Sequence, residues 1–298
     1  MTGKFTLYEP LVWQTHTNRV FLSSGFDCPV GCVYCYIYND GYALGPPRPS
    51  RLTGDEVKRR LVSDSRFKAG KNGTIVSIGC VSEPFHPVLE EKTLEYMESL
   101  SDLGNPIQFA AKFPVSDWGI RRIAKIDAPV YPMISISTLK NYRALEPAAP
   151  PPLARLAGIR KLANAGLHTT LLFKPVMPGV NENEQDQVIR AALDYGAKSL
   201  VAGIMYINHY LAKKLEESGF DTKSLQTRGT DPVQPIWVEN EISPVKSHDL
   251  LDSIIQKARL AGLKAFKDTV CVISEDLRIA CPVRGAYPQF CSGHTPIG

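Results

Sequence analysis

Three cysteines fall within eight positions of the stretch DCPVGCVYCYIYND: Cys28, Cys32 and Cys35, spaced C-x3-C-x2-C. Thiolates are soft ligands and select zinc, copper(I) or iron–sulfur clusters. A structural zinc site closes with four ligands, whereas a tight loop offering three suits three corners of a cubane [4Fe–4S] cluster. The fourth iron then stays open to an exogenous ligand. A zinc loop completed by a distant His or Cys is the alternative. Cys80, Cys271, Cys281 and Cys291 bring the total to seven. In a reducing compartment an odd, clustered set argues for metal binding or redox chemistry over disulfides.

Such a loop works only where the fold aims it. After it the chain alternates helical stretches, apolar at three- and four-residue spacing, with short β-branched runs. Strands are expected at 18–24, 74–80, 106–112, 130–137, 168–176 and 199–207, and helices near 54–63, 89–102, 117–124, 152–165 and 183–195. This alternation implies a parallel sheet. Six such units make an α/β fold, a partial (β/α)6 barrel of the TIM type, in which chemistry gathers at the C-terminal ends of the strands. The cysteine loop directly follows the first strand and so lies at that end. The expected division is an N-terminal extension (1–17), the barrel (18–210) and a C-terminal extension (211–298) that carries Cys271, Cys281 and Cys291. Within the last part, NHYLAKKLEESGF reads as a helix closed by a glycine, and another helix spans 247–261 before Gly262.

Composition sets bounds on function. A chain of 298 residues, 44% apolar and 21% charged, buries an ordinary globular core. No run approaches the roughly 20 apolar residues that span a bilayer, and the N-terminus lacks the order of a secretory signal, so a cytoplasmic protein is expected. A net charge of +4 is mild and its basic residues are scattered, which gives no case for nucleic acid as a partner.

CPVGCVYCY, with Tyr34 just before the third cysteine, resembles the cluster loop of the radical S-adenosylmethionine superfamily. The resemblance implies that the open iron binds the amino and carboxylate groups of S-adenosylmethionine. An electron from the reduced cluster, supplied by a donor such as flavodoxin or ferredoxin, then cleaves it to methionine and a 5′-deoxyadenosyl radical that abstracts a hydrogen atom from substrate. GCVSEPFHP, at 79–87, stands where the superfamily shows a Gly-Gly-Glu-Pro segment, which makes Glu83 the acid for the methionyl ammonium. Here the glycines have moved away from the Glu-Pro pair. AAKFPVSDWGIRRI, ISISTLKNYRALEPAAPPPLARL and LLFKPVMPGVNENE are similar to the spore photoproduct lyase branch. That similarity implies that Lys112 and either Ser135 or Ser137 contact the cofactor carboxylate, and that backbone at 176–179, turned by Gly179, packs the adenine. Asn181 is expected to cap the next helix. Glu146 and Arg155 read equally as lining the substrate mouth or as a structural pair, and Lys174 is given no role.

Three readings fit the tail cysteines, with His294 as a further ligand: a second iron–sulfur cluster near the barrel mouth, a hydrogen-atom donor, or buried structural residues. Cys80, at the end of the second strand, is a candidate hydrogen donor or a packing residue. His86, Tyr206, Asn208, His209 and Tyr210 are expected around the same mouth, and Glu239 and Glu241 in a loop. Three functions compete. The first is a radical enzyme acting on a small molecule of natural-product, sugar or nucleoside type by epimerisation, dehydrogenation or rearrangement. The second is a DNA lesion lyase, and the third a non-catalytic metal-binding module.

Overall fold

The structure, a computed structural model, describes residues 8–225 and 242–286. It opens with an antiparallel hairpin of β1 (Leu11–Gln14) and β2 (Arg19–Leu22) around a 3-10 turn at Thr15–Thr17. The chain continues through β3 (Gly25–Phe26), β4 (Arg48–Pro49), α1 (Gly54–Ser63), β5 (Ile75–Ile78), α2 (Glu90–Ser99), β6 (Ile107–Ala111), α3 (Asp117–Ile123) and β7 (Val130–Ser135). Next come α4 (Tyr142–Leu145), α5 (Pro152–Asn164), β8 (Thr170–Val176), α6 (Gln185–Asp194), β9 (Ser199–Ile204), β10 (Tyr206–Ile207) and α7 (His209–Glu217). The last described elements are β11 (Ser243–Pro244), α8 (His248–Leu260), β12 (Lys264–Phe266), α9 (Thr269–Leu277) and α10 (Pro282–Ala286). The main sheet is ordered β1-β2-β5-β6-β7-β8-β9-β12, and every pairing from β2 to β12 is parallel.

All six expected strands and their five crossover helices are present, so the partial barrel of the TIM type holds. Local signals mark several helix starts. At α1 the Glu56 N–H donates to Thr53 Oγ1 (3.2 Å) while the Thr53 N–H donates to Glu56 Oε2 (2.7 Å), a reciprocal cap. The sheet does not end near residue 210. β12 is a seventh parallel strand, paired with β9, and α8 packs on the outer side of both. The three residues Lys264–Phe266 carry too little alternation to read as a strand; pairing with β9 makes them one.

Alternation along the strands divides the core. Val20, Val76, Phe109, Leu171, Phe173 and Leu200 face outward beneath the helices. Tyr131, Met133, Leu172, Val201 and Phe266 face inward and pack against Val270, Cys271 and Ile273 of α9. That helix closes the N-terminal end of the barrel. Asp276 accepts from Tyr131 Oη at 2.9 Å and lies 2.8 Å from His168 Nδ1, and His168 Nε2 lies 2.8 Å from Ser199 Oγ, all at strand starts. α10 packs against the Thr15–Thr17 turn at the same end.

This differs from the expected placing of the tail cysteines near the barrel mouth. Cys271 and Cys281 lie beneath the barrel, opposite the mouth where a second cluster was expected, because α9 is apolar enough to fill the inner core from below. Their sulfurs are 3.6 Å apart, beyond disulfide bonding distance. Cys291, His294, Glu239 and Glu241 lie outside the described residues.

Candidate functional site

The cysteine loop leaves β3 at the C-terminal end of the parallel strands and is pinned on several sides. Asp27 has a left-handed backbone (φ 66°), and its carboxylate accepts from the Ala43 N–H (3.0 Å) and Arg48 Nε (2.6 Å). Ser82, in the loop after β5, donates to the Asp27 carbonyl at 2.7 Å. The Val33 N–H donates to the Leu145 carbonyl and the Ala148 N–H to the Val30 carbonyl, which fastens the loop to the chain after β7. Gly31, at φ +67°, supplies the turn between the first two cysteines. Cys32 is buried, and Cys28 and Cys35 are half-buried.

The thiol environment bears on what the loop can hold. Burial pushes Cys28 up to about 12 and Cys32 further, so as free thiols both stay protonated at neutral pH. Iron binding would displace those protons, since only thiolates ligate. Among the described residues no three His, Cys, Asp or Glu side chains converge on one point suited to a single ion. Three cysteines on one loop supply the soft thiolate donors that an iron–sulfur cluster takes.

Above the loop, four strand ends bring the remaining groups together. The Glu83 carboxylate accepts from the backbone N–H groups of Lys112 (2.9 Å) and Phe113 (3.2 Å) at the end of β6. Desolvation dominates its environment and raises its pKa to about 7, against these donors and the charge of Lys112. Lys112 Nζ donates to Ser135 Oγ at 3.1 Å, lies 3.6 Å from Glu146 Oε1 and 5.8 Å from the Tyr34 ring centre. Burial would lower the lysine's pKa, but the negative charge of Cys32 when it is a thiolate, and of Glu146, outweighs it and holds the amine charged.

Glu146 is the hub of this cluster. Its fully buried carboxylate accepts from Tyr34 Oη and from Ser137 Oγ (2.7 Å), and Arg155 Nη1 lies 2.6 Å from its other oxygen. That last contact is an ion pair off the hydrogen-bonding direction, which leaves Glu146 Oε2 and Arg155 Nη2 without hydrogen-bond partners. Arg155 also donates to the carbonyls of Ser135 (3.0 Å) and Pro150 (2.6 Å). Desolvation acts to raise the Glu146 pKa, yet Lys112 and Arg155 together hold it below the usual carboxylate range. Of the two sequence readings, Glu146 and Arg155 form the structural pair. The pair also fixes Tyr34, the aromatic beside the third cysteine.

The two candidate serines therefore differ. Ser135 pairs with Lys112, whereas Ser137 is committed to Glu146. Gly179 turns the chain at φ +76°, where an added Cβ would sit 2.4 Å from Ser224 Oγ. Asn181 does not cap its helix. Its side chain instead accepts from the Met177 N–H (2.7 Å) and donates to the carbonyls of Ser137 (2.6 Å) and Pro175 (2.9 Å), tying the turn to the chain after β7. Cys80 packs near Cys28 and Cys35, and burial raises its thiol to about 11, keeping the S–H intact. His86 stacks against Phe113, Asn208 caps α7, Tyr206 meets Tyr36 edge-on, and His209 and Tyr210 are exposed. Lys174, without a role from sequence, points inward on β8. Its position alternates with outward Leu171 and Phe173, the signal that could have placed it.

No family model matches the chain. It is 28% identical over 165 residues to the radical SAM Nalpha-GlyT isomerase of Pseudomonas phage M6, covering 51% of this chain and 32% of that one. The match thus spans about a third of the isomerase's length. The chain is also 22% identical over 221 residues to the uncharacterized protein ORF301 of Acidianus two-tailed virus, covering 69% and 70%. Among solved structures it superposes on spore photoproduct lyase complexed with dinucleoside spore photoproduct, with TM-score 0.61, 13% identity and coverage of 81% and 73%. Superposition on Streptococcus suis SuiB bound to S-adenosylmethionine gives TM-score 0.54, 11% identity and coverage of 90% and 52%. At such identities the likeness to solved structures is one of fold. The chain thus carries a three-cysteine loop on a fold like that of spore photoproduct lyase and SuiB, and over half of its length it is similar in sequence to a radical SAM isomerase.

Proposed function

We propose that this chain is a radical S-adenosylmethionine enzyme that rearranges a small-molecule substrate without net redox change. The observation that carries the reading is that the loop of Cys28, Cys32 and Cys35 lies at the same end of the barrel as the linked Glu83, Lys112 and Ser135. When bound, the cluster and S-adenosylmethionine supply a 5′-deoxyadenosyl radical that takes a hydrogen atom from the substrate. The three thiolates hold the cluster. Glu83, aimed by two backbone N–H groups, accepts from the methionyl amino group, and Lys112 with Ser135 faces the carboxylate. Glu146 keeps Tyr34 and Lys112 in place, and the turn at Gly179 receives the adenine. Under anaerobic reduction the wild type should form 5′-deoxyadenosine and methionine, and Cys32→Ala should form neither. Iron-loaded wild type that forms neither would sink the reading.

Glu83 imposes a pH dependence. An amino N–H donates more strongly to a carboxylate than to a carboxylic acid, so cofactor affinity should strengthen as pH rises through about 7 and weaken below it. Glu83→Gln should weaken binding by roughly tenfold or more at pH 8 and flatten that profile. A wild-type affinity indifferent to pH between 6 and 8 would count against the assignment.

Cys80 is the proposed donor that returns hydrogen. A thiol S–H is weaker than most C–H bonds, so it hands a hydrogen atom to a product radical; the resulting thiyl recovers an electron from the flavodoxin- or ferredoxin-type donor and a proton from solvent. Turnover in D2O should place one deuterium in the product through this exchangeable thiol. Cys80→Ala should lose that label, and retention of the label would exclude Cys80.

A DNA lesion lyase is the second reading, favoured by the fold shared with spore photoproduct lyase. Mild net charge gave the case against nucleic acid, and this likeness removes its force. Duplex binding that strengthens steeply as salt falls would support the lyase, and salt-insensitive turnover of a small substrate the rearrangement.

A further inference from the structure

The inner face of the barrel holds two cations that the cofactor machinery does not use. On β8, Thr170, Leu172 and Lys174 point inward. Lys174 is exposed to solvent although its neighbours along the strand are buried, so its amine opens into the barrel lumen. Its stem lies across Gly203 of β9, where an added Cβ would come within 2.5 Å of Lys174 Cδ. Glycine at 203 gives the lysine its room. Arg19, on the inward face of β2, is buried and donates only to neutral oxygens, Gln14 Oε1 at 3.0 Å and Thr269 Oγ1 at 3.1 Å.

Among the described residues neither cation has a carboxylate within ion-pair distance. Desolvation pulls the Lys174 pKa down; Asp268 opposes this and Arg19 adds to it. Asp268 is itself engaged at the start of α9, accepting from the Val270 N–H at 2.8 Å. Two neutral groups of the inner face also lack hydrogen-bond partners, Gln108 Oε1 and Thr170 Oγ1. Crowded charge without a partner is costly, and a lysine amine is a point charge suited to a carboxylate or phosphate.

We propose that Lys174 anchors an anionic group of the substrate, a carboxylate or phosphate, within the barrel lumen, with Arg19 adding its charge. This rests on the reading of the barrel as the chamber of a radical enzyme.

Calorimetric titration of the anaerobic holoprotein with inorganic phosphate, N-acetylglycine and the neutral N-acetylglycinamide tests it. At least one anion should bind and the amide should not. Lys174→Met should weaken that binding at least tenfold, while Lys174→Arg, which keeps the charge, should stay within about threefold. Circular dichroism of both variants controls for folding. Anion binding unchanged in Lys174→Met, no anion binding by the wild type, or displacement of the probe by S-adenosylmethionine would overturn the proposal. Formation of 5′-deoxyadenosine by the wild type, measured separately, tests the underlying reading; its absence would sink that reading and leave the anion result standing.

Discussion

Arg155→Leu is expected to destabilise the protein by about 3–5 kcal/mol at neutral pH, the cost of stripping one partner from a fully buried ion pair. Glu146 would keep its contacts with Tyr34, Ser137 and Lys112, but its carboxylate would face the interior without its nearest cation. The sign with pH follows. In the wild type the Glu146 pKa is depressed, so its pairing stabilises the fold above the ordinary carboxylate pKa and that stabilisation fades as acid protonates the group. The gap between wild type and variant should therefore be widest near neutrality and narrow on acidification. Replacing both partners, Arg155→Leu with Glu146→Leu, should recover part of the loss, because no uncompensated charge remains. Denaturant unfolding across pH 4–8 measures all of this. A gap that widens on acidification would show that the pair does not carry the charge balance assigned to it.

The second large effect concerns iron. Reconstituted wild type should bind about four irons per chain, as one cubane requires, and the variant with Cys28, Cys32 and Cys35 all changed to alanine should bind about none. The tail cysteines are not expected to make up the difference. Cys271 is fully buried among apolar side chains at the N-terminal end of the barrel, 3.6 Å from Cys281. About four irons remaining in the triple variant would reverse that statement and establish a second cluster in the tail.

How much of this was legible before the structure varied with the physics behind each signal. The barrel strands are continuous apolar runs because helices cover one face and the inner core the other, and such runs are readable. The cysteine loop was legible from its spacing, and Glu83 only through the resemblance of its segment to the superfamily's Gly-Gly-Glu-Pro pattern; the structure seats its carboxylate on the Lys112 and Phe113 N–H groups. Glu146 was ambiguous because a carboxylate near an arginine in a proline-rich loop looks the same whether it is a solvated pair or a buried hub. Burial is a property of the fold, not of the local string. Lys174 was missed because a single lysine among apolar residues suggests a strand end on the surface, while in a barrel its alternate neighbours turn it inward. α9 read as part of a cysteine-bearing tail and became a plug because its apolar face meets the inner ends of β7, β8 and β9. Asn181 was assigned by a helix-start rule, whereas its side chain binds backbone groups of Met177, Ser137 and Pro175 instead.

Electron paramagnetic resonance of the dithionite-reduced protein, with and without S-adenosylmethionine, addresses the open iron directly. The wild type should show a reduced [4Fe–4S] signal whose shape changes when S-adenosylmethionine is added, and the triple cysteine variant should show no such signal. A wild-type cluster signal unaltered by saturating S-adenosylmethionine would contradict a loop of three cysteines that reserves its fourth iron for that ligand.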